Sequence, residues 1–203
     1  MKSRFSFVQF LVFLAVLVLG IFSPLYAHRA TPSANKTEKV SYNKSEFFAD
    51  IAPTVQEVAK AYGVRPSLVM AQAALESDNG QNLLAVKYHN LFAVLAQPGN
   101  KPVTLKYKRY FVNEWQTEIG QFAVYKSWGD AIYDYFDLLK SGKIRNSEGA
   151  YDVMVSNKGY KKPAQALQDI GFSSDPNYAS KLIAIIILSD RKRGSAGMPR
   201  PIS

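Results

Sequence analysis

Few side chains in this sequence can do acid–base or nucleophilic chemistry, and their setting narrows the choice to one carboxylate. Cysteine is absent, which removes a thiol nucleophile, a disulfide framework, a lipid-modified cysteine and thiolate metal sites together. Histidine occurs only as His28 and His89. A histidine-dependent triad or a multi-histidine metal site would rest on His89 alone, so no metal is expected. The lack of a glycine-rich phosphate loop leaves no cofactor implied either. Among the carboxylates Glu76 stands apart, because Ala73, Ala74 and Leu75 precede it and Ser77-Asp78-Asn79-Gly80 turns the chain after it. A carboxyl group there is partly withdrawn from water and meets the negative end of a helix dipole. Both effects raise its pKa above the ordinary value of about 4.3. An acid that keeps its proton near neutral pH can hand that proton to the oxygen of a breaking glycosidic bond.

A helix must carry this acid. Pro66, which lacks the amide proton that a first helical turn leaves orphaned, predicts a start there, and the helix ends by Asp78-Asn79-Gly80. A preceding helix runs from about Ser45, is reset at Pro53 and stops at Gly63. Interleaved apolar and charged residues over 102–125 predict a β-hairpin, with strands 103–110 and 117–125 and a turn near 112–115 that has no Asn-Gly signal. Ser127 caps a helix through Leu139, with Asp130 placed to close a capping box. Short helices are expected at 151–156 and 163–170. Asp175-Pro176 caps a last helix over 177–188, apolar on most sides and expected at the centre of the core. The result is a mainly helical α+β fold with one small hairpin, an architecture that matches the lysozyme-like group.

Four segments in order, 72–80 (Gln-Ala-Ala-Leu-Glu-Ser-Asp-Asn-Gly), 90–94 (Asn-Leu-Phe-Ala-Val), 122–128 (Phe-Ala-Val-Tyr-Lys-Ser-Trp) and 175–182 (Asp-Pro-Asn-Tyr-Ala-Ser-Lys-Leu), resemble the landmarks of the glucosaminidase family of bacterial autolysins, glycoside hydrolase family 73. The resemblance covers about 46–188. It implies a lysozyme-like glycosidase acting on the glycan strands of peptidoglycan, with Glu76 as catalytic acid. It also implies Asn90 and Phe92 in the segment lining the sugar cleft and Tyr178 facing that cleft, and Trp128 is grouped with them as a sugar-facing aromatic.

The departures bear on mechanism. Many members of the family carry a second glutamate on the hairpin in a Thr-x-Glu-Tyr setting. Here Thr104-Leu105-Lys106-Tyr107 puts Lys106 in that slot, and a register counted back from Trp115 puts Arg109 there. Glu118 and Glu114 are the nearby candidates for the second catalytic group. Otherwise the substrate's 2-acetamido group attacks the anomeric carbon, or Glu76 serves as both acid and base. In the last case attack by the 6-hydroxyl gives an anhydro product, as in lytic transglycosylases, whose Glu-Ser motif Glu76-Ser77 resembles. Either β-1,4 bond, that cut by a glucosaminidase or that cut by a muramidase, remains open.

The ends of the chain imply export. Lys2 and Arg4 precede a charge-free stretch over 5–27, read as a retained membrane anchor, with signal cleavage after Ala27 and secretion as the alternative. Residues 28–44 read as a flexible tether, 45–190 as the glycosidase domain and 191–203 as a basic disordered tail. The formal charge is +9, of which about +6 belongs to the exported part, and it favours anionic wall polymers or lipids over nucleic acid, which an exported chain rarely meets. The short anchored layout resembles small membrane-bound peptidoglycan glycosidases of Gram-positive cocci and suits remodelling at the septum during division. A catalytically silent wall-binding or scaffolding protein is the rival reading.

Overall fold

The computed structural model describes residues 7–27, 31–144, 148–156 and 159–195. They fall in two units, 1–32 and 33–203. The first holds α1 (Phe7–Ala27); Lys2, Arg4, His28 and Arg29 lie outside the described residues. Side chains on α1 are described as far as Leu17, and among the described residues no helix is long and apolar enough to cross a membrane.

The second unit is organised around α3 (Pro66–Ser77), in which every residue from Leu68 to Ala74 is buried. A helix apolar on all sides can only sit inside, and α3 packs against α2 (Lys44–Tyr62) and α8 (Tyr178–Ser195). This corrects the expectation that α8 is the central element. Its buried residues Tyr178, Ala179, Leu182 and Ile186 form one face, while Leu188 is exposed. The helix α8 also continues to Ser195, past the expected end at Leu188 and into the segment read as a disordered tail. Arg191, Lys192 and Arg193 are good helix formers, and cations suit a helix C-terminus. Residues 196–203 lie outside the described residues.

No reset occurs at Pro53. The helix α2 runs through it, begun by a capping box between Asn43 and Glu46 and ended by Gly63 at φ 68°. Proline inside a helix costs about 3 kcal/mol. Here Phe47, Ile51, Val55, Val58 and Ala59 form one buried stripe on both sides of the proline, and that burial outweighs the lost hydrogen bond. At α5 (Trp128–Lys140) Ser127 accepts from Asp130 N at 3.1 Å, which is the backbone half of the expected capping box. Next come α6 (Ala150–Ser156) and α7 (Lys161–Asp169), close to expectation. The short helix α4 (Leu83–Tyr88) was not expected; Asn82 caps it.

The hairpin pairs β1 (Val103–Phe111) with β2 (Glu114–Phe122), Phe111 facing Glu114 across a two-residue turn. The turn is therefore shorter and the second strand starts earlier than expected. Val112 and Asn113 both have positive φ, 50° and 62°, as a two-residue hairpin turn requires. Asn-Gly is the usual sequence for that geometry, and a β-branched residue there is strained. Val112→Asn is expected to stabilise the domain by about 1 kcal/mol, read as a higher midpoint in chemical denaturation.

The segment read as a flexible tether is docked from Ser33 onward. Ser33 bridges Lys106 on β1 and Thr37 bridges Asn82. The backbone bonds Ala34 N to Lys106 O (2.8 Å), Glu38 N to Gln81 O (2.8 Å) and Leu83 N to Lys36 O (2.7 Å) hold the strap. Its polar composition misled because the attachment uses main-chain groups, which composition does not reveal. Ala34 joins Leu83, Leu84, Leu105 and Phe122 in a small second core, so strap, α4 and hairpin form one packed corner beside the α3 bundle.

Candidate active site

Glu76 sits partly buried on the last turn of α3, at a turn with little freedom. Asp78, Asn79 and Gly80 are all left-handed, with φ of 52°, 55° and 80°. Ser77 Oγ donates to Ala73 O (2.5 Å) and accepts from Gly80 N (2.8 Å). The Asn82 amide donates to the carbonyl of Glu76 itself at 2.8 Å. A Cβ on Gly80 would lie 2.6 Å from the Phe47 ring, closer than carbon atoms approach, so the position needs glycine for space as well as for φ.

Behind the carboxyl group runs a chain of donors that all point one way. Tyr135 OH donates to Gln72 Oε1 (3.1 Å), Gln72 Nε2 donates to Tyr178 OH (3.3 Å), and the Tyr178 hydroxyl is near enough to Glu76 to lower its pKa. Gln72 and Tyr178 are each 1% exposed and Tyr135 is 2% exposed. Such a chain fixes the rotamer of Glu76, and each bond polarises the next. Phe92 stacks on Tyr135 with centroids 4.0 Å apart and planes 9° apart, so it supports the chain from behind.

The charges beside Glu76 come from α8 and the residues before it. Burial pushes its pKa from the ordinary 4.5 up to about 7, and the negative Asp175 adds to the rise. The positive Lys181 and the hydrogen bond from Tyr178 oppose it. The direction and its main cause are those read from the sequence, with Asp175 as the second cause. Burial and the nearby Glu76 charge push the Tyr178 hydroxyl well above its ordinary range, so it acts as a neutral donor.

Three of the proposed sugar-contacting side chains are engaged internally. Asn90, 1% exposed, donates to Val94 O (2.9 Å) and Ala123 O (3.0 Å) and accepts from Val94 N (3.0 Å). It pins the 90–94 loop to the end of β2 and has little left to offer a sugar. Trp128 donates to Ala85 O (3.0 Å) and packs edge-on against Tyr42 and Phe47, which makes it the clamp between strap, α2 and α4. Phe92 is 8% exposed. A residue in a cleft-lining segment can shape that segment from inside without facing the cleft.

On the hairpin, the β1–β2 register puts Glu118 opposite Tyr107 and Gln116 opposite Arg109. Glu118 accepts from Tyr107 OH (2.6 Å) and pairs with Arg109 (3.3 Å). Arg109 therefore shares the face of Glu118, and Lys106 points to the other side. Glu114 is exposed beside the turn, where Gln116 Nε2 donates to it at 3.0 Å. The sequence reading missed Gln72, Tyr135, Asp175 and Lys181 as members of the site. Gln72 was within reach, since it lies one turn before Glu76 on the same helix face and is a polar residue in an otherwise apolar run.

The family pattern described as mannosyl-glycoprotein endo-beta-N-acetylglucosaminidase, the glucosaminidase pattern, matches residues 52–189. The exo-glucosaminidase LytG of Bacillus subtilis is 30% identical over 177 residues, 87% of this chain and 62% of that protein. A probable N-acetylmuramidase of Lactococcus lactis is 28% identical over 173 residues, 85% of this chain and 39% of that one. The chain thus spans less than two thirds of the length of either relative. The catalytic domain of the autolysin Auto from Listeria monocytogenes superposes with a TM-score of 0.60 at 26% identity, covering 93% of this chain and 97% of that domain. The match over more than half of its length, together with the shared lysozyme-like architecture, shows that the chain belongs to the glucosaminidase family.

Proposed function

We propose that this domain hydrolyses a β-1,4 glycosidic bond in the glycan strands of peptidoglycan, with Glu76 as the general acid. The observation that carries the reading is a carboxylic acid on the rigid last turn of α3, beside the buried chain of hydrogen bonds from Tyr135 through Gln72 to Tyr178, in a setting whose burial raises its pKa. Glu76 gives its proton to the glycosidic oxygen as the C1–O bond breaks. The carboxylate left behind is stabilised by the Tyr178 hydroxyl, and it can take a proton from the water that completes hydrolysis. Relatives named as a glucosaminidase and an N-acetylmuramidase support a cell-wall glycan as the substrate class. The charge-free stretch over 5–27 supports a domain held outside a membrane.

Mass spectrometry of fragments released from uncrosslinked glycan strands tests the reaction. A reducing-end N-acetylglucosamine identifies a glucosaminidase, a reducing-end N-acetylmuramic acid a muramidase, and an anhydro end a transglycosylase. If nothing is released, a wall-binding role replaces the enzyme reading. Because the acid must be protonated to act, kcat/KM is expected to fall about tenfold per pH unit above roughly 7. A rate still rising at pH 9 contradicts Glu76 as the proton donor.

A further inference from the structure

The turn that follows Glu76 is strained, and part of what holds it comes from the strap. Asp78 and Asn79 are non-glycine residues in the left-handed region, at φ 52° and 55°. Such backbone persists where surrounding contacts over-determine it. Three hydrogen bonds from 36–42 supply that constraint just beyond the strained pair. Glu38 N donates to Gln81 O (2.8 Å) and Leu83 N donates to Lys36 O (2.7 Å), which makes Thr37 and Asn82 an antiparallel bridge. The third is from a side chain: Tyr42 OH donates to Gly80 O (2.5 Å). The Tyr42 ring stands edge-on to Trp128, with centroids 5.7 Å apart. Gly80 itself lies against the Phe47 and Trp128 rings, where a Cβ would come within 2.6 and 3.1 Å of them. Packing therefore aims the hydroxyl across a separation of 38 residues.

We propose that Tyr42 is a positioning residue of the active site: with the strap it holds the 80–83 backbone in place, and that backbone fixes where Glu76 stands. The proposal rests on the general-acid reading of Glu76. The route from strap to acid is short. Gly80 is gripped from both sides, its carbonyl by Tyr42 and its N–H by Ser77 Oγ (2.8 Å), which in turn donates to Ala73 O on α3. Asn82, which faces Thr37 in the bridge, donates its N–H to Ser77 O (3.0 Å) and its side-chain amide to Glu76 O (2.8 Å). A displacement of 80–83 is thereby passed to the main chain of Ser77 and Glu76. Proton transfer to a glycosidic oxygen is sensitive to shifts of an ångström, so the strap bears on the rate. Its other end is bridged to β1, where Ala34 N donates to Lys106 O (2.8 Å). One segment thus fixes the catalytic turn and the hairpin against each other.

The test compares the full-length wild type with Tyr42→Phe, which keeps the ring on Trp128 and removes the hydroxyl, and with Tyr151→Phe as a control. Tyr151 OH donates to Tyr62 O (2.9 Å), a bond of the same kind that ties α6 to the end of α2. The N–H groups of Gly80, Gln81 and Asn82 bond Ser77 Oγ, Asp78 O and Ser77 O. Their hydrogen exchange, followed by NMR, is expected to be about fivefold to tenfold faster in Tyr42→Phe and unchanged in Tyr151→Phe. The kcat for fragment release from purified peptidoglycan, measured well below the unfolding midpoint of each variant, is expected to fall about tenfold in Tyr42→Phe, with KM within about twofold. Tyr151→Phe should keep both constants within about twofold of wild type. Exchange at 80–82 equal to wild type in Tyr42→Phe, or a kcat no lower than that of Tyr151→Phe, overturns the proposal. If the wild type itself releases nothing, the general-acid reading fails separately, and the exchange rates decide whether the strap holds the turn.

Discussion

Glu76→Gln is expected to lower turnover at least about 10³-fold and, at pH 8, to make the folded domain more stable. The loss follows from removing the only proton that the site delivers to the leaving oxygen; an amide of the same shape cannot donate it. The gain follows from linkage. Glu76 has a pKa of about 7 in the folded chain against an ordinary 4.5, so folding binds its proton more tightly. Below pH 4.5 the group is protonated in both states and costs nothing. As pH rises from 4.5 to 7 the unfolded chain releases the proton first, and stability falls. Above 7 the full cost is present, about 3 kcal/mol. Glutamine carries no charge at any pH, so the variant escapes this penalty. Guanidinium denaturation at pH 8 and pH 4.5 checks it: the variant should exceed the wild type at the higher pH and match it at the lower. Equal midpoints at both would mean that Glu76 is not desolvated.

The second large effect is expected at Asn90. Asn90→Ala removes one acceptor and two donated bonds from a buried site, leaving Val94 N and Ala123 O to find other partners, while Val94 O keeps its bond from Ala123 N. Each buried polar group left alone costs about 1 to 3 kcal/mol, so a loss of about 4 kcal/mol is expected, read by chemical denaturation. KM for glycan strands, measured below the unfolding temperature of the variant, should stay within about twofold of wild type. A variant of normal stability with a greatly raised KM would instead put Asn90 in direct contact with sugar. The two predictions separate the roles that one sequence pattern joins: Glu76 is destabilising and chemical, Asn90 stabilising and architectural.

Local signals were read correctly where the physics is local. Pro66 opens α3, Gly63 and the 78–80 turn close α2 and α3, Ser127 caps α5, and the 103–122 region forms a hairpin. The errors came where distant contacts compete with local preference. Pro53 stays inside α2 because a buried stripe continues across it. The strap over 33–43 is held by main-chain bonds to α4 and β1. The packing of Trp128 on Tyr42 and Phe47, and of Phe92 on Tyr135, is likewise a set of distant contacts that no local signal gives.

The sequence by itself determined the chemistry on offer: with no cysteine and one histidine near any core, a single acid at a helix end was the group able to act, and four ordered motifs pointed to the family. What tertiary structure decided is how that acid is held. Gln72, Tyr135, Tyr178, Asp175 and Lys181 come from α3, α5 and the α8 region, spread over more than 100 residues of the chain, and beyond Gln72 neither residue type nor spacing tells which of them meet. A pKa is set by burial and by charges within a few ångströms, both properties of packing. Glu76 was therefore recognisable as an acid from its neighbours in sequence, while its ability to keep a proton near pH 7 depends on its neighbours in space.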